Sequence, residues 1–438
     1  SGTDGLSDPR MVDTILDLLP LSSKEKLTAA ALAAKLSNSN NDNNTTNANE
    51  NENDNNDVNV LYIGTATYDI PKFKLKQTKC FVERGCKVQS LDIAFDNDDD
   101  NDNSEEDDKA NNNKALINNA DIIVVGGGNT LFAVDRWYKK GLIPILTKAM
   151  ERGCILTGGS AGAICWFHSG HSDSADPDTY VTAMLQKYGD ENDDAVVSCS
   201  TSYDTSSNST KKKDWNYIRV PGLNFIPNVI CCPHHDKVQS NGLLRSNDFD
   251  TMLLKLATAN NITTAATATA TATQSSQSQQ AAAVNNSNSN NIIGIGIDHY
   301  AALIVDGDNY RVFSLQDKVG SIPPNNNTWN DDEEKKQDGG GDFAVSDKGI
   351  ATGTPGIWIK RIVRTTDTTK NDNNNNNGNN SNNNFTIDAQ ILPLEGKLED
   401  IIHFSSSGTI DDDIFDIDDI DIDNKNELER CRIENPSS

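Results

Sequence analysis

Short apolar runs that end in glycine alternate along this chain with segments whose apolar residues recur every three or four positions. That alternation predicts strands and helices taking turns. Val58–Gly64 reads as a buried strand, Phe73–Gly85 as a helix closed by its glycine, and Lys87–Ile93 as the next strand. Asp121–Val125 is an apolar run of parallel-strand type, followed by helices near 131–140 and 142–152 that Gly153 stops. Cys154–Leu156 predicts a strand, Gly158–Gly162 a tight turn, and Ala163–Phe167 the start of a helix. Ahead of all these, Asp8-Pro9 opens a helix with Met11, Ile15, Leu18 and Leu19 on one face. Further strands are expected at Asn228–Cys232, Ile292–Ile297, Ala301–Val305, Tyr310–Leu315 and Gly356–Val363, with Asp306-Gly307 as a hairpin turn. The predicted fold class is α/β, a mostly parallel sheet with helices on both faces that gains antiparallel strands late in the chain.

Five polar tracts interrupt the pattern: Ser37–Asp57, Asp96–Asn113, Ala259–Asn291, Asn325–Gly341 and Asn371–Asn384. Asn, Asp, Ser and Thr dominate them and offer little to bury against the entropy of ordering, so they read as disordered inserts. The expected organisation is one catalytic domain over 1–404 and an acidic, disordered tail over 405–438, where Asp411–Asp423 alternates acid with Ile. Ser174–Lys213 is a further long stretch that reads as a lid or as another insert.

The net charge is -27. Phosphate binding needs clustered Lys and Arg, so a nucleic-acid partner is not expected. No apolar run approaches the ~20 residues that span a bilayer, so no membrane partner is expected either. The eight cysteines are scattered and several sit in apolar runs, which suits buried thiols in a reducing, cytoplasmic setting.

The candidate chemistry lies in Gly158-Gly159-Ser160-Ala161-Gly162, which fits G-x-S-x-G between a strand and a helix. Such a turn holds a serine hydroxyl at the top of a sheet, and the amide of the following residue, Ala161, is the natural first donor to an oxyanion. A second glycine turn, Gly126–Asn129, ends the neighbouring strand and offers Gly127 or Gly128 as the second donor. It lacks the G-x-G-x-x-G and Walker spacings of phosphate loops. Serine needs a base. Of the six histidines, His234 and His235 emerge from an apolar strand, while His168 and His171 read as surface residues. Asp173 gives the chain order Ser, Asp, His, with Asp236 and Asp298 as competitors. The spacings H-x-x-H and C-C-P-H-H match no common zinc site, and no metal or cofactor is expected.

Val124–Ser174, together with Cys232-Pro233-His234 and Gly294–Asp298, resembles the peptidase S51 family, which includes dipeptidase E and cyanophycinase. The resemblance reaches from near the N-terminus to Trp358 and implies a Ser-His-Asp/Glu peptidase on a class I glutaminase-like three-layer sandwich. It puts the nucleophile on Ser160, the base on His234 and, by the dipeptidase branch, the acid on Asp173. The cyanophycinase branch has a Glu in a G-I-D-E segment that here reads Gly296-Ile297-Asp298-His299, which leaves Asp298 as second candidate. The family also carries a substrate-selecting Arg near Arg245, on a helix expected over Gly242–Lys255. Dipeptidase E-like enzymes cut after an N-terminal Asp, so the resemblance implies dipeptides with N-terminal Asp as substrates, their carboxylate suited to bidentate binding by Arg245, with Asn129 also touching substrate. The family's first strand has no counterpart at the start, Ser1-Gly2-Thr3, which would empty a sheet position. The partner expected is a small peptide, and a homodimer is the assembly allowed for. Rival readings are a cyanophycinase-like or isoaspartyl-peptide hydrolase and a catalytically silent binding protein. A Cys-dependent amidotransferase is disfavoured by the serine in the turn.

Overall fold

The structure, a computed structural model, describes residues 5–28, 57–95, 103–179, 215–272, 292–323, 352–365 and 384–402. The tracts 37–56, 325–341 and 371–383, residues 180–213 and the acidic tail lie outside the described residues. Two compact units divide at Phe225 and Ile226.

In the first unit, Pro9–Leu16 forms α1, with Asp8 capping its N-terminus by accepting from the Arg10 amide, and residues 21–28 form α2. The strands are β1 (Asn59–Ile63), β2 (Lys87–Leu91), β3 (Ile122–Val125) and β4 (Ile155–Gly158). All pair in parallel in the order β2-β1-β3-β4. A parallel sheet must be covered on both faces, hence the unbroken apolar runs of β1 and β3. One face packs Val60, Tyr62, Ile122 and Val124 against Val12, Ile15 and Leu16 of α1 and against Cys80 and Phe81 of α3 (Pro71–Glu83). The alternate residues Leu61, Ile63, Ile123 and Val125 are buried as well.

Helix α4 (Asn103–Asn119) packs on β1 and β2 and begins inside the acidic tract 96–113, which composition alone assigns to disorder. Buried Ile117 anchors its far end. Next come α5 (Thr130–Lys139) and α6 (Ile143–Glu151), close to their expected bounds. The helix expected from Ala163 is instead one turn, α7 (Ala161–Ile164), and the chain then enters β5 (Phe167–Ser172). β5 pairs antiparallel with β6 (Ile218–Pro221). Long-range pairing overrides local preference here: the amides of Leu223 and Gly222 donate to the Cys165 and His168 carbonyls.

In the second unit, β7 (Ile226–Pro233) runs parallel to β8 (Ile293–Ile297), and β8 pairs antiparallel with β11 (Ile357–Thr365). β12 (Asn384–Ile391) closes that edge, antiparallel to β11. Helix α8 (Arg245–Ala272) lays Phe249 and Leu253 on Ile230 and Cys232. Bare glycines on β8 make the room, since a β-carbon at Gly294 would stand 2.7 Å from Leu253 and one at Gly296 2.4 Å from the His235 ring. The helix runs well beyond Lys255, into the tract from Ala259 onward that composition assigns to disorder. A small sheet joins β9 (Ala301–Asp306), β10 (Asn309–Ser314) and β13 (Glu395–Lys397), followed by α9 (Leu398–Ile401). The β9–β10 hairpin turns at Gly307, whose φ of 54° suits glycine. Among the described residues no helix is long and apolar enough to cross a membrane.

Candidate active site

Parallel strands deliver their following loops to one edge, and in the first unit three such loops meet. The Gly126 amide donates to the Ile63 carbonyl and the Asn129 amide to the Ala66 carbonyl. Gly128, at φ 138°, lies so close that a β-carbon would stand 2.1 Å from the Ala66 oxygen. One strand over, Ser160 joins β4 to α7 with φ 56° and ψ -115°, a backbone state that costs an L-residue roughly 1–3 kcal/mol. Gly158 and Gly162 flank it, each with no room for a β-carbon beside the Val125 carbonyl. Ser160 occupies the N-cap position of α7, yet its hydroxyl makes no capping bond. Among the described residues, the amides of Gly127, Gly128 and Ala161 take no backbone carbonyl. With α7 only one turn long, these amides, more than a helix dipole, are what this edge offers an anion.

The expected residues Asn129 and Asp173 lie near this turn in the same unit. Asn129 caps α5 by accepting from the Phe132 amide at 2.9 Å, and its own amide donates to the Ser174 carbonyl and to Thr179 Oγ1, both at 3.0 Å. Both of its N–H donors are thereby used, and a ligand would have to displace one. Asp173, half-buried, directly follows β5 between Ser172 and Ser174. Those two hydroxyls bond each other at 2.8 Å, and Ser174 Oγ also accepts from the Thr130 amide at 2.9 Å. Segment 172–174 is thus stitched to the start of α5, next to the Gly126–Asn129 turn. The surface reading of His171 does not hold: it is fully buried, with its ring 4.3 Å from that of Tyr217. His168 is half-buried, and burial, then Arg219, pushes its pKa below the usual imidazole range.

The second unit carries the remaining candidates. His234 follows Pro233 at the end of β7, with φ 52°, and its Nδ1 stands 2.7 Å from His299 Nδ1. Burial, then the charges of Arg245 and His299, holds its pKa well below the ordinary value. Arg245 opens α8, is fully buried, and bonds through its backbone amide to the Lys237 carbonyl. Asp298 accepts from the Ser321 amide and hydroxyl at 2.8 Å and from the Gly356 amide at 3.1 Å, and lies 3.6 Å from His235 Nδ1. Burial, then Asp236, raises its pKa to about 8, against the pull of the Ser321 bonds. Trp358 extends this network by donating to Ser321 Oγ at 2.8 Å. Asp236 accepts from the His299 amide at 2.8 Å. Cysteine chemistry is opposed by environment: burial raises the Cys80 and Cys231 thiols and takes Cys86, Cys154 and Cys232 to about 12.

Ser160, Ala161, Gly127, Gly128, Asn129 and Asp173 therefore belong to the first unit, and His234, Arg245 and Asp298 to the second. Sequence reasoning assigned no role to His299, although the signal was present: it stands where the G-I-D-E pattern has its Glu.

Residues 31–188 match the family model for peptidase family S51. The matched stretch includes Gly126–Asn129, Ser160 and Asp173 and ends before His234. Over 265 residues the chain is 26% identical to a Trypanosoma brucei brucei protein named G2/mitotic-specific cyclin-1, covering 60% of this chain and 65% of that protein. A 56-residue stretch is 43% identical to the uncharacterized peptidase YgaJ of Bacillus subtilis (strain 168), covering 13% of this chain and 24% of that protein. The chain thus spans less than two thirds of either curated relative. Among solved structures it is similar to a peptidase from an acI-B1 Actinobacterium, with a TM-score of 0.31 and 18% identity over 58% of this chain and 74% of that one.

Proposed function

We propose that this chain, whose residues 31–188 match the family model for peptidase family S51, is a serine peptidase that hydrolyses short peptides, chiefly dipeptides with N-terminal Asp. The observation that carries this reading is Ser160, held at φ 56° between β4 and α7 with its hydroxyl uncommitted to capping. A protein keeps so costly a backbone state where it serves a site.

In this reading His234 accepts the Ser160 hydroxyl proton as Oγ attacks the peptide carbonyl carbon. The amides of Ala161 and of Gly127 or Gly128 receive the oxyanion. The C–N bond then breaks, the proton on His234 passes to the leaving amine, and water hydrolyses the serine ester to release the acid and restore Ser160. A neutral base is required, and the depressed pKa of buried His234 supports that. Arg245, whose charge is felt at His234, supplies the cation for a substrate carboxylate. Asn129 serves by holding the loop that carries Gly127 and Gly128.

A panel of Asp-X, isoaspartyl and neutral dipeptides tests the assignment. Cleavage of Asp-X that disappears in Ser160→Ala is expected, with preferential loss of Asp-X in Arg245→Lys. Cleavage of isoaspartyl bonds alone would replace the substrate class. No cleavage of any member by a folded protein would favour the binding-protein reading.

A further inference from the structure

We infer that His299 is the positioning residue for His234, filling through its imidazole the place that a carboxylate holds in a Ser-His-acid triad. The inference deepens the peptidase reading and rests on it. β7 and β8 are adjacent parallel strands in register, Pro233 opposite Ile297, so the residues just past their ends emerge side by side. His234 and His299 are two such residues, and their Nδ1 atoms stand 2.7 Å apart, hydrogen-bond distance for a donor and an acceptor. A base that must accept at Nε2 carries its proton on Nδ1, and that proton needs an acceptor to fix the tautomer. His299 Nδ1 is that acceptor when its own proton sits on Nε2.

The surroundings hold His299 in place. Its amide donates to Asp236 at 2.8 Å and its ring meets Tyr300 edge-on at 4.5 Å. The preceding residue, Asp298, is fixed by Ser321 and Gly356, and the His235 amide donates to the Ile297 carbonyl. The same bonds engage the Asp298 carboxylate with Ser321 and Gly356. Arg245 and Lys237 are among the charged groups that bear on His234 together with His299, and both disfavour imidazolium. A neutral imidazole in the orienting position leaves that bias intact, whereas a carboxylate would oppose it.

The test is the rate at which a fluorophosphonate probe modifies Ser160, followed by intact mass; the Ser Oγ–P bond forms as fluoride leaves, so no peptide substrate need be known. His299→Phe keeps a ring against Tyr300 but offers no acceptor, and is expected to slow labelling by about 10- to 100-fold, part of the roughly 10²–10⁴ that a general base supplies. His299→Glu restores an acceptor and is expected to recover the rate. It should also move the acidic limb of the rate–pH profile to higher pH, because an anion stabilises imidazolium. Wild-type labelling with His299→Phe unchanged, or a His299→Glu variant as slow as Phe, overturns the inference alone. No labelling of the folded wild-type chain overturns the peptidase reading and the inference with it.

Discussion

Gly162 runs so close to Val125 that a β-carbon on it would stand 2.1 Å from the Val125 carbonyl oxygen. The turn holding Ser160 is therefore wedged against the neighbouring strand, and the last glycine of G-x-S-x-G is a packing requirement. Gly162→Ala should destabilise the chain by about 1–3 kcal/mol, as overpacking does. Urea unfolding measures it, and an unchanged midpoint would mean the turn is looser than described.

Ser160 pays locally for its backbone state. Replacing it by glycine relieves the strain and by alanine does not, so Ser160→Gly should be more stable than Ser160→Ala by about 1 kcal/mol. Paired thermal melts read the difference, and both variants should be inactive. Equal stabilities would show that the positive φ carries no strain.

Asp298 makes stability depend on pH. Its folded pKa of about 8 lies above the ordinary carboxylate value, so the native state keeps a proton that the unfolded chain releases. Its contribution is complete below pH 4 and is lost as pH rises through about 8. His234, with a depressed pKa, works in the opposite sense, losing its contribution as pH falls below the ordinary imidazole value. The difference in Tm between wild type and Asp298→Asn isolates the first term: it should move toward the variant as pH is raised from 5 to 8. A difference independent of pH would contradict the raised pKa.

The thiols should be quiet. Iodoacetamide at neutral pH should leave Cys86, Cys154, Cys231 and Cys232 of the native protein largely unmodified and should not abolish hydrolysis, because the reactive thiolate is suppressed by burial. Peptide mass mapping checks this, and activity lost in step with alkylation of one of them would revive a cysteine mechanism.

The sheet and the serine turn were legible because β1, β3 and β4 are apolar runs punctuated by glycine, a signal local in sequence. β5 was not: Phe167-His-Ser-Gly-His-Ser172 has neither alternation nor an apolar run, and it becomes a strand by pairing with β6 some 50 residues later. His171 read as surface for the same reason. The start of α4 and the far end of α8 lie in tracts that composition assigns to disorder, because composition records hydropathy and not backbone pairing. His299 drew no role although it stands where the G-I-D-E pattern has its Glu; what the sequence does not display is its contact with His234, 65 positions away in the chain. A motif names the nucleophile, while the group behind the base is set by tertiary packing.

The most direct test of the central claim is to expose the folded protein to a fluorophosphonate and map the adduct by peptide mass spectrometry. One adduct, on Ser160 and absent from Ser160→Ala, is the predicted result. An adduct on another residue, or none under conditions where the protein remains folded, would contradict the assignment of Ser160 as the nucleophile.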